Sequence, residues 1–198
     1  MDQATFDKIA IREVIESWAI WRDTGDFDRL ATCFHDDGVM TATWFEGSKD
    51  LFVERAKASF ARGNASAHVL GAISIDLAGN RAIAQTRATI ASRDTIEGAL
   101  YDIACMGRMY DFFEKRQGRW AIAERRLTYE KDRADPVIPG KTHAFDEALL
   151  ASFPQGYQFL AYAQTKRGLD VSRTLPGLRG PEVEALYAKG KAWLAGSS

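Results

Sequence analysis

The sequence predicts an α+β fold in which a few helices precede a long antiparallel sheet that curves around them. Three observations carry that expectation. In the first third of the chain, apolar residues recur at spacings of three and four, as amphipathic helices require. From Ala67 onward, four long segments take on period-two character, separated by turn-forming residues. Helices gathered ahead of such a meander belong to the α+β class rather than to an alternating α/β arrangement.

The first helix is expected over residues 5–22, with Thr5 as its cap and Phe6, Ile9, Ile11, Val14, Ile15, Trp18 and Ala19 on its apolar face. "DTGD" ends it. A short second helix, Phe27 to Phe34, takes Asp26 as cap, and "HDDG" closes it as a turn. "VMTATWF", 39–45, is β-branched and alternating and reads as a strand. "GSKDLFVERAKASFARG" follows as a third helix, capped by Ser48 and stopped by Gly63.

The meander consists of "AHVLGAISIDLAGN", "RAIAQTRATIASR", "ALYDIACMGRMYDFFEKR" and "RWAIAERRLTYEKDR". Its turns fall at Gly79-Asn80, near Thr95–Gly98 and at Gln117-Gly118. A sheet this long, covered by helices on one side, must curve to enclose them. The domain is expected to span 1–133. "ADPVIPGK", 134–141, reads as a linker, and the extension over 134–198 is mostly helical: 143–152, 155–166 and a last helix beginning at Pro181. Tyr157, Phe159, Tyr162, Leu178, Tyr187 and Trp193 give this tail the means to cover the open end of the domain or to clasp a second subunit.

Charge and composition exclude several function classes. A net charge of −1 with interspersed signs announces no basic face, so neither nucleic acid nor an anionic membrane is an expected partner. Cys33 and Cys105 form no CxxC and are expected as reduced core thiols. With no signal-peptide pattern at "MDQATFDKIAIREV" and no apolar run of membrane-spanning length, a cytoplasmic location is expected. No GxGxxG, no Walker sequence and no metal-ligand spacing occurs, so no metal and no cofactor is expected. "FHDDG" is read as a helix-end turn rather than a metal site.

Two residues stand out. Asp23 lies where the first apolar helix face ends, and His68 begins the first long strand, 45 residues later. A carboxylate on one ring nitrogen fixes the imidazole tautomer and leaves the other nitrogen as a general base. The plainer alternative is a solvated helix-end acid and an unrelated strand-edge histidine. Spacing alone does not choose between them.

Residues 5–133 resemble the SnoaL-like branch of the nuclear-transport-factor-2-like superfamily. The likeness rests on "IREVIESWAIWRDTGDFDRLATCFHDDG", "GSKDLFVERA", "SAHVLG", "GNRAIAQTRAT" and "YDFFEKRQGRWAIAERR", in that order. It implies a cone-shaped sheet enclosing a pocket. In the hexachlorocyclohexane dehydrochlorinase and scytalone dehydratase branch, a helix aspartate and a strand histidine form the base dyad, and these roles map onto Asp23 and His68. An arginine five residues past the last-strand tryptophan maps onto Arg125, with adjacent Arg126 able to replace it through a bulge. The chain departs from scytalone dehydratase in having no second strand histidine between 69 and 142. The family's oligomers, built on the exposed sheet face, imply a dimer or trimer.

Alternation completes the expected pocket. Cys105, Gly107, Met109, Asp111 and Phe113 share a face, on which Gly107 makes room and Met109 lines the cavity. Arg125, Leu127, Tyr129 and Lys131 share another. Trp18, Ala19, Met40 and Trp44 supply further walls, and Arg125 or Lys131 beside Tyr129 suits a developing oxyanion. The function this implies is a cofactor-independent lyase acting on a small hydrophobic, aromatic substrate, with water, halide or an aldehyde such as formaldehyde leaving. An isomerase, hydroxylase or cyclase using the same base, and a non-catalytic binder, are the alternatives.

Overall fold

The computed structural model describes residues 2–64 and 66–196. Helix α1, Gln3–Thr24, is capped by Asp2, whose carboxylate accepts from the Thr5 backbone N–H and hydroxyl. The cap is therefore three residues earlier than Thr5. Its buried face is Asp7, Ile11, Ile15, Trp18 and Ala19, whereas Phe6 and Ile9, expected inside, are about half exposed. Asp7 turns inward because it accepts from the Trp120 indole N–H and from Lys115, both at 2.8 Å. Gly25 ends the helix in a left-handed conformation (φ 81°) that favours glycine.

Helix α2, Phe27–Thr32, is capped by Asp26 as expected. The residues "HDDG", expected as a turn closing it, are an unpaired excursion between the Phe34–Ile122 and Val39–Glu124 pairs. They lie within strand β1, Phe34–Ala42, whose pairing register slips between Phe34 and Val39. The irregularity lets the strand leave α2 directly. β1 folds back through Thr43-Trp44 into β2, Phe45–Ser48, and α3, Lys49–Ala61, starts on the Ser48 cap.

The meander is β3 (Ser66–Ala78), β4 (Arg81–Ile96), β5 (Ala99–Arg116) and β6 (Arg119–Pro136). The sheet runs β2-β1-β6-β5-β4-β3, antiparallel throughout except for the parallel β1–β6 pair. Ala134–Pro136, expected as linker, form the last rungs of β6 opposite Tyr101–Ile103. Extra residues interrupt the ladder in β3 between Leu70 and Ile73, and in β6 at Ala123 and Glu130. Bulges bend and twist a strand, and here they turn the sheet into a curved, unclosed cone packed around α1. At the Glu130 bulge the β5 and β6 backbones come so close that a Cβ on Gly107 would overlap the Thr128 carbonyl oxygen. Gly107 therefore serves strand contact rather than pocket space.

In the tail, the helix expected over 143–152 shortens to α4, Glu147–Ala151, which begins at its Asp146 cap. Helix α5, Gln158–Lys166, joins the main core through Leu160, Ala161, Tyr162 and Ala163. Helix α6, Pro181–Leu194, covers the outer face of the sheet, where Leu186, Tyr187 and Trp193 pack against Ile83, Tyr110 and Phe112. Leu178 stays exposed. Among the described residues, no helix is long and apolar enough to cross a membrane.

Candidate active site

The last turn of α1 meets the start of β3, and there Asp23 uses both carboxylate oxygens on His68. Oδ1 accepts from the ring Nδ1 at 2.6 Å, and Oδ2 from the His68 backbone N–H at 2.6 Å. A carboxylate only accepts, so Nδ1 carries the ring proton and Nε2 bears the lone pair. Nε2 has no hydrogen-bond partner among the described residues, and His68 lines a cavity of about 390 Å³. The ring is held from the side by Trp18, edge-on at 5.2 Å between centroids. Trp18 in turn stacks on Phe52.

The cavity walls combine aromatic and aliphatic surface with polar groups. Trp18, Met40, Trp44, Phe52, Ile90, Leu127 and Leu160 provide the apolar part, and Thr43, Ser59, Ser66, Ser92, Tyr129 and Gln164 the polar part. Buried Tyr129 accepts the Thr43 backbone N–H at its hydroxyl (3.1 Å), leaving the O–H proton free to donate. Burial pushes its ionisation well above the ordinary phenol range, so it stays a neutral donor. Two buried wall atoms, Trp18 Nε1 and Gln164 Oε1, have no partner among the described residues. Each loses hydration without a protein substitute, a cost the fold carries.

Of the residues expected at the site, Asp23 and His68 meet, and Trp18, Met40, Trp44 and Tyr129 line the cavity. Three do not. Ala19 lies one helical step from Trp18 and faces the core. Met109 is fully buried opposite Leu127, beneath the cavity wall. Arg125 faces inward, while Arg126 bonds Glu124 instead, yet Arg125 does not reach the cavity. It lies directly opposite Asp111 on β5, makes a bidentate pair with it at 2.6 and 2.7 Å, and rests its guanidinium 4.3 Å from the centre of the Trp18 ring. Its Nε and Nη2 are taken by Asp111 while buried Nη1 has no partner among the described residues, and the guanidinium backs the wall residue Trp18. Lys131 also leaves the pocket face: the Glu130 bulge turns it outward and brings Asp132 in.

Sequence reasoning missed Arg22, Arg55, Ser59 and Arg62, along with Gln164 and the turn after α5. A signal existed for α3, since Arg55, Ser59 and Arg62 fall at helical spacings of four and seven. Asp132 was missed because a bulge reverses alternation. It is the carboxylate that accepts from the Phe159 and Leu160 backbone N–H groups at 2.7 and 2.9 Å, fixing α5 over the cavity.

Comparison with known proteins agrees with this architecture. Residues 3–126 match the family model described as the SnoaL-like domain. A PEP2-like protein of Fusarium vanettenii is 32% identical, with 98% of this chain and 88% of that protein covered. Pea pathogenicity protein 2 of the same fungus is 31% identical over the same shares. Among solved structures, a protein provisionally assigned as a scytalone dehydratase from Novosphingobium aromaticivorans superposes with a TM-score of 0.57 at 19% identity, covering 71% of this chain and 97% of that one. A type 2 hexachlorocyclohexane dehydrochlorinase gives a TM-score of 0.57 at 15% identity, covering 72% and 96%. At these identities the two structures speak to the fold alone.

Proposed function

We propose that this chain, which belongs to the SnoaL-like domain family of the nuclear-transport-factor-2-like superfamily, is a cofactor-independent lyase acting on a small hydrophobic, aromatic substrate. The observation that carries the proposal is the two-point grip of Asp23 on His68 beside a cavity of about 390 Å³. The grip fixes both the tautomer and the direction of Nε2, which is what a general base needs before substrate arrives.

His68 Nε2 takes a proton from a substrate carbon. The freed electron pair becomes the new π bond, and the leaving group departs from the adjacent carbon with its bonding pair. Where water leaves, the imidazolium returns the proton to the departing oxygen. Where halide leaves, the proton goes to solvent. Where formaldehyde leaves, the proton comes from a hydroxymethyl oxygen, whose freed pair forms the aldehyde C=O, and the carbon–carbon pair passes to the aromatic fragment's carbon, which takes the proton back from the imidazolium. Tyr129 takes the role first expected of Arg125: its free O–H donates to the oxygen on which charge grows.

The test is a screen of aromatic alcohols and halides for release of a second product, repeated with His68→Ala. Elimination that vanishes in the variant supports the proposal. Elimination unchanged in His68→Ala rejects it, and a product isomeric with its substrate replaces the lyase with an isomerase.

A further inference from the structure

The cavity of a chain with net charge −1 is lined by four guanidinium groups and one free carboxylate. Arg167 is partly neutralised by Asp94 at 3.4 Å. The other three, Arg22, Arg55 and Arg62, form no ion pair among the described residues. Arg22 sits half-buried beside Asp23, but both oxygens of that carboxylate are committed to His68. Arg55 and Arg62 project from the face of α3 that also presents Ser59. Asp170 is the opposing acid on the cavity wall. Like charges gathered at one opening, with low-dielectric walls behind them, raise the local concentration of an anion and bind it more strongly than open solvent permits.

We propose that this cationic mouth binds a carboxylate carried by the aromatic substrate, so that the ligand is an aryl-substituted acid. Its ring lies among Trp18, Trp44 and Phe52, and its carboxylate faces Arg22, Arg55 and Arg62. The site favours a singly charged carboxylate over a doubly charged phosphate on electrostatic grounds. Arg22 lies in the last turn of α1 and Arg62 caps the end of α3, so both helices turn their C-terminal, negative dipole ends toward the mouth. Those ends oppose a dianion more strongly than a monoanion, and the guanidinium forks supply the bidentate pairing a carboxylate takes. The inference rests on the cavity being the substrate site, as proposed above, but not on the elimination chemistry.

The test is a binding comparison on the full chain. One- and two-ring aryl carboxylates, 2-naphthoate among them, are each set against their methyl esters by ligand-observed NMR and calorimetry at low and high salt. The acids are expected to bind at least about tenfold tighter than the esters at low salt, as charge-assisted pairing implies. The advantage shrinks as salt screens the mouth. Arg55→Gln/Arg62→Gln, a double change at two exposed positions, should remove most of the advantage and leave ester binding in place. Adding Arg22→Gln should remove the rest. A panel in which no acid out-binds its ester overturns the proposal, as does an advantage that persists in the triple variant. His68→Ala should keep the preference for acids. Elimination surviving in that variant defeats the lyase, while the acid preference, read as binding, stands or falls separately.

Discussion

Asp23→Asn tests the dyad most directly. Two donors, the His68 ring Nδ1–H and its backbone N–H, now share one carboxylate at 2.6 Å each. An asparagine offers one oxygen for the two. The backbone N–H cannot change its role, so the amide oxygen goes there and the NH₂ faces Nδ1. The ring then moves its proton to Nε2, the atom that must be bare to act as a base. Losing a hydrogen bond to a charged partner costs about 1.5–3 kcal/mol, which leaves a weakened but folded protein. Withdrawing a positioned base lowers the rate by about 10²–10⁴-fold. The first assay needs no substrate: two-bond proton–nitrogen correlation on labelled protein at alkaline pH. Wild type should show Nδ1 protonated, and the variant Nε2 protonated. The second assay is the release of the elimination product. A wild-type ring protonated on Nε2, or a swapped tautomer with turnover unchanged, would refute the reasoning.

Three further outcomes follow from the same geometry. Arg125→Met should cost about 3–5 kcal/mol in urea unfolding, because Asp111 is left as an uncompensated buried charge, and adding Asp111→Leu should recover most of the loss. Tyr129→Phe leaves the Thr43 N–H unpaired, at about 1–3 kcal/mol, and should slow elimination more than it weakens binding; an unchanged rate would remove Tyr129 from the mechanism. Asp132 carries a pH signature. Burial, only partly offset by the Leu160 and Phe159 N–H groups, raises its carboxyl from 3.8 to about 6. Between those values the unfolded chain has released a proton that the folded chain keeps, so this group's contribution to stability falls as pH rises through the window. Asp132→Asn keeps the acceptor for α5 and removes the charge. Above pH 6 it should be more stable than wild type by on the order of 2 kcal/mol, with the difference fading toward pH 4; a flat difference would contradict the assignment.

Periodicity made most of the fold legible. The α1 and α3 helices, the Asp26 and Ser48 caps, and the turns at Gly79-Asn80 and Gln117-Gly118 all follow from local chemistry that the tertiary structure leaves alone. The errors fall where a long-range partner overrides local pattern. Asp7 rotates the start of α1 because Trp120, far along the chain, needs an acceptor. "FHDDG" has turn composition, but Phe34 and Val39 on either side of HDDG pair with β6, so those four residues become an unpaired excursion inside a strand. At the site, alternation brought Arg125 to the inner face, yet it could not show that Asp111 would face it and spend its charge. The contact of Asp23 with His68 depends on where a helix end meets a strand 45 residues later, which only the closed cone determines.

The consequence that reaches furthest begins at one extra residue. Without the Glu130 bulge, β6 would keep its alternation and Asp132 would face outward, away from the first turn of α5. With it, Glu130 pairs outside with Arg108 at 2.8 Å while Asp132 turns in and holds the Phe159 and Leu160 N–H groups. That grip sets Leu160 and Gln164 into the cavity wall and brings the following turn, Arg167–Asp170, to its mouth. The SnoaL-like domain match ends at residue 126, before any of these groups and before Leu127 and Tyr129. The Asp23–His68 pair proposed as the base thus lies in the part shared with the family model, together with most of the cavity wall, whereas Leu127, Tyr129 and the α5 side of the wall lie beyond it. Relatives of 32% and 31% identity align over 98% of this chain, so the alignment runs past residue 126 into the α5 segment. Substrate preference should therefore respond to changes in the α5 wall, Leu160 and Gln164, as well as to changes at Arg22, Arg55 and Arg62.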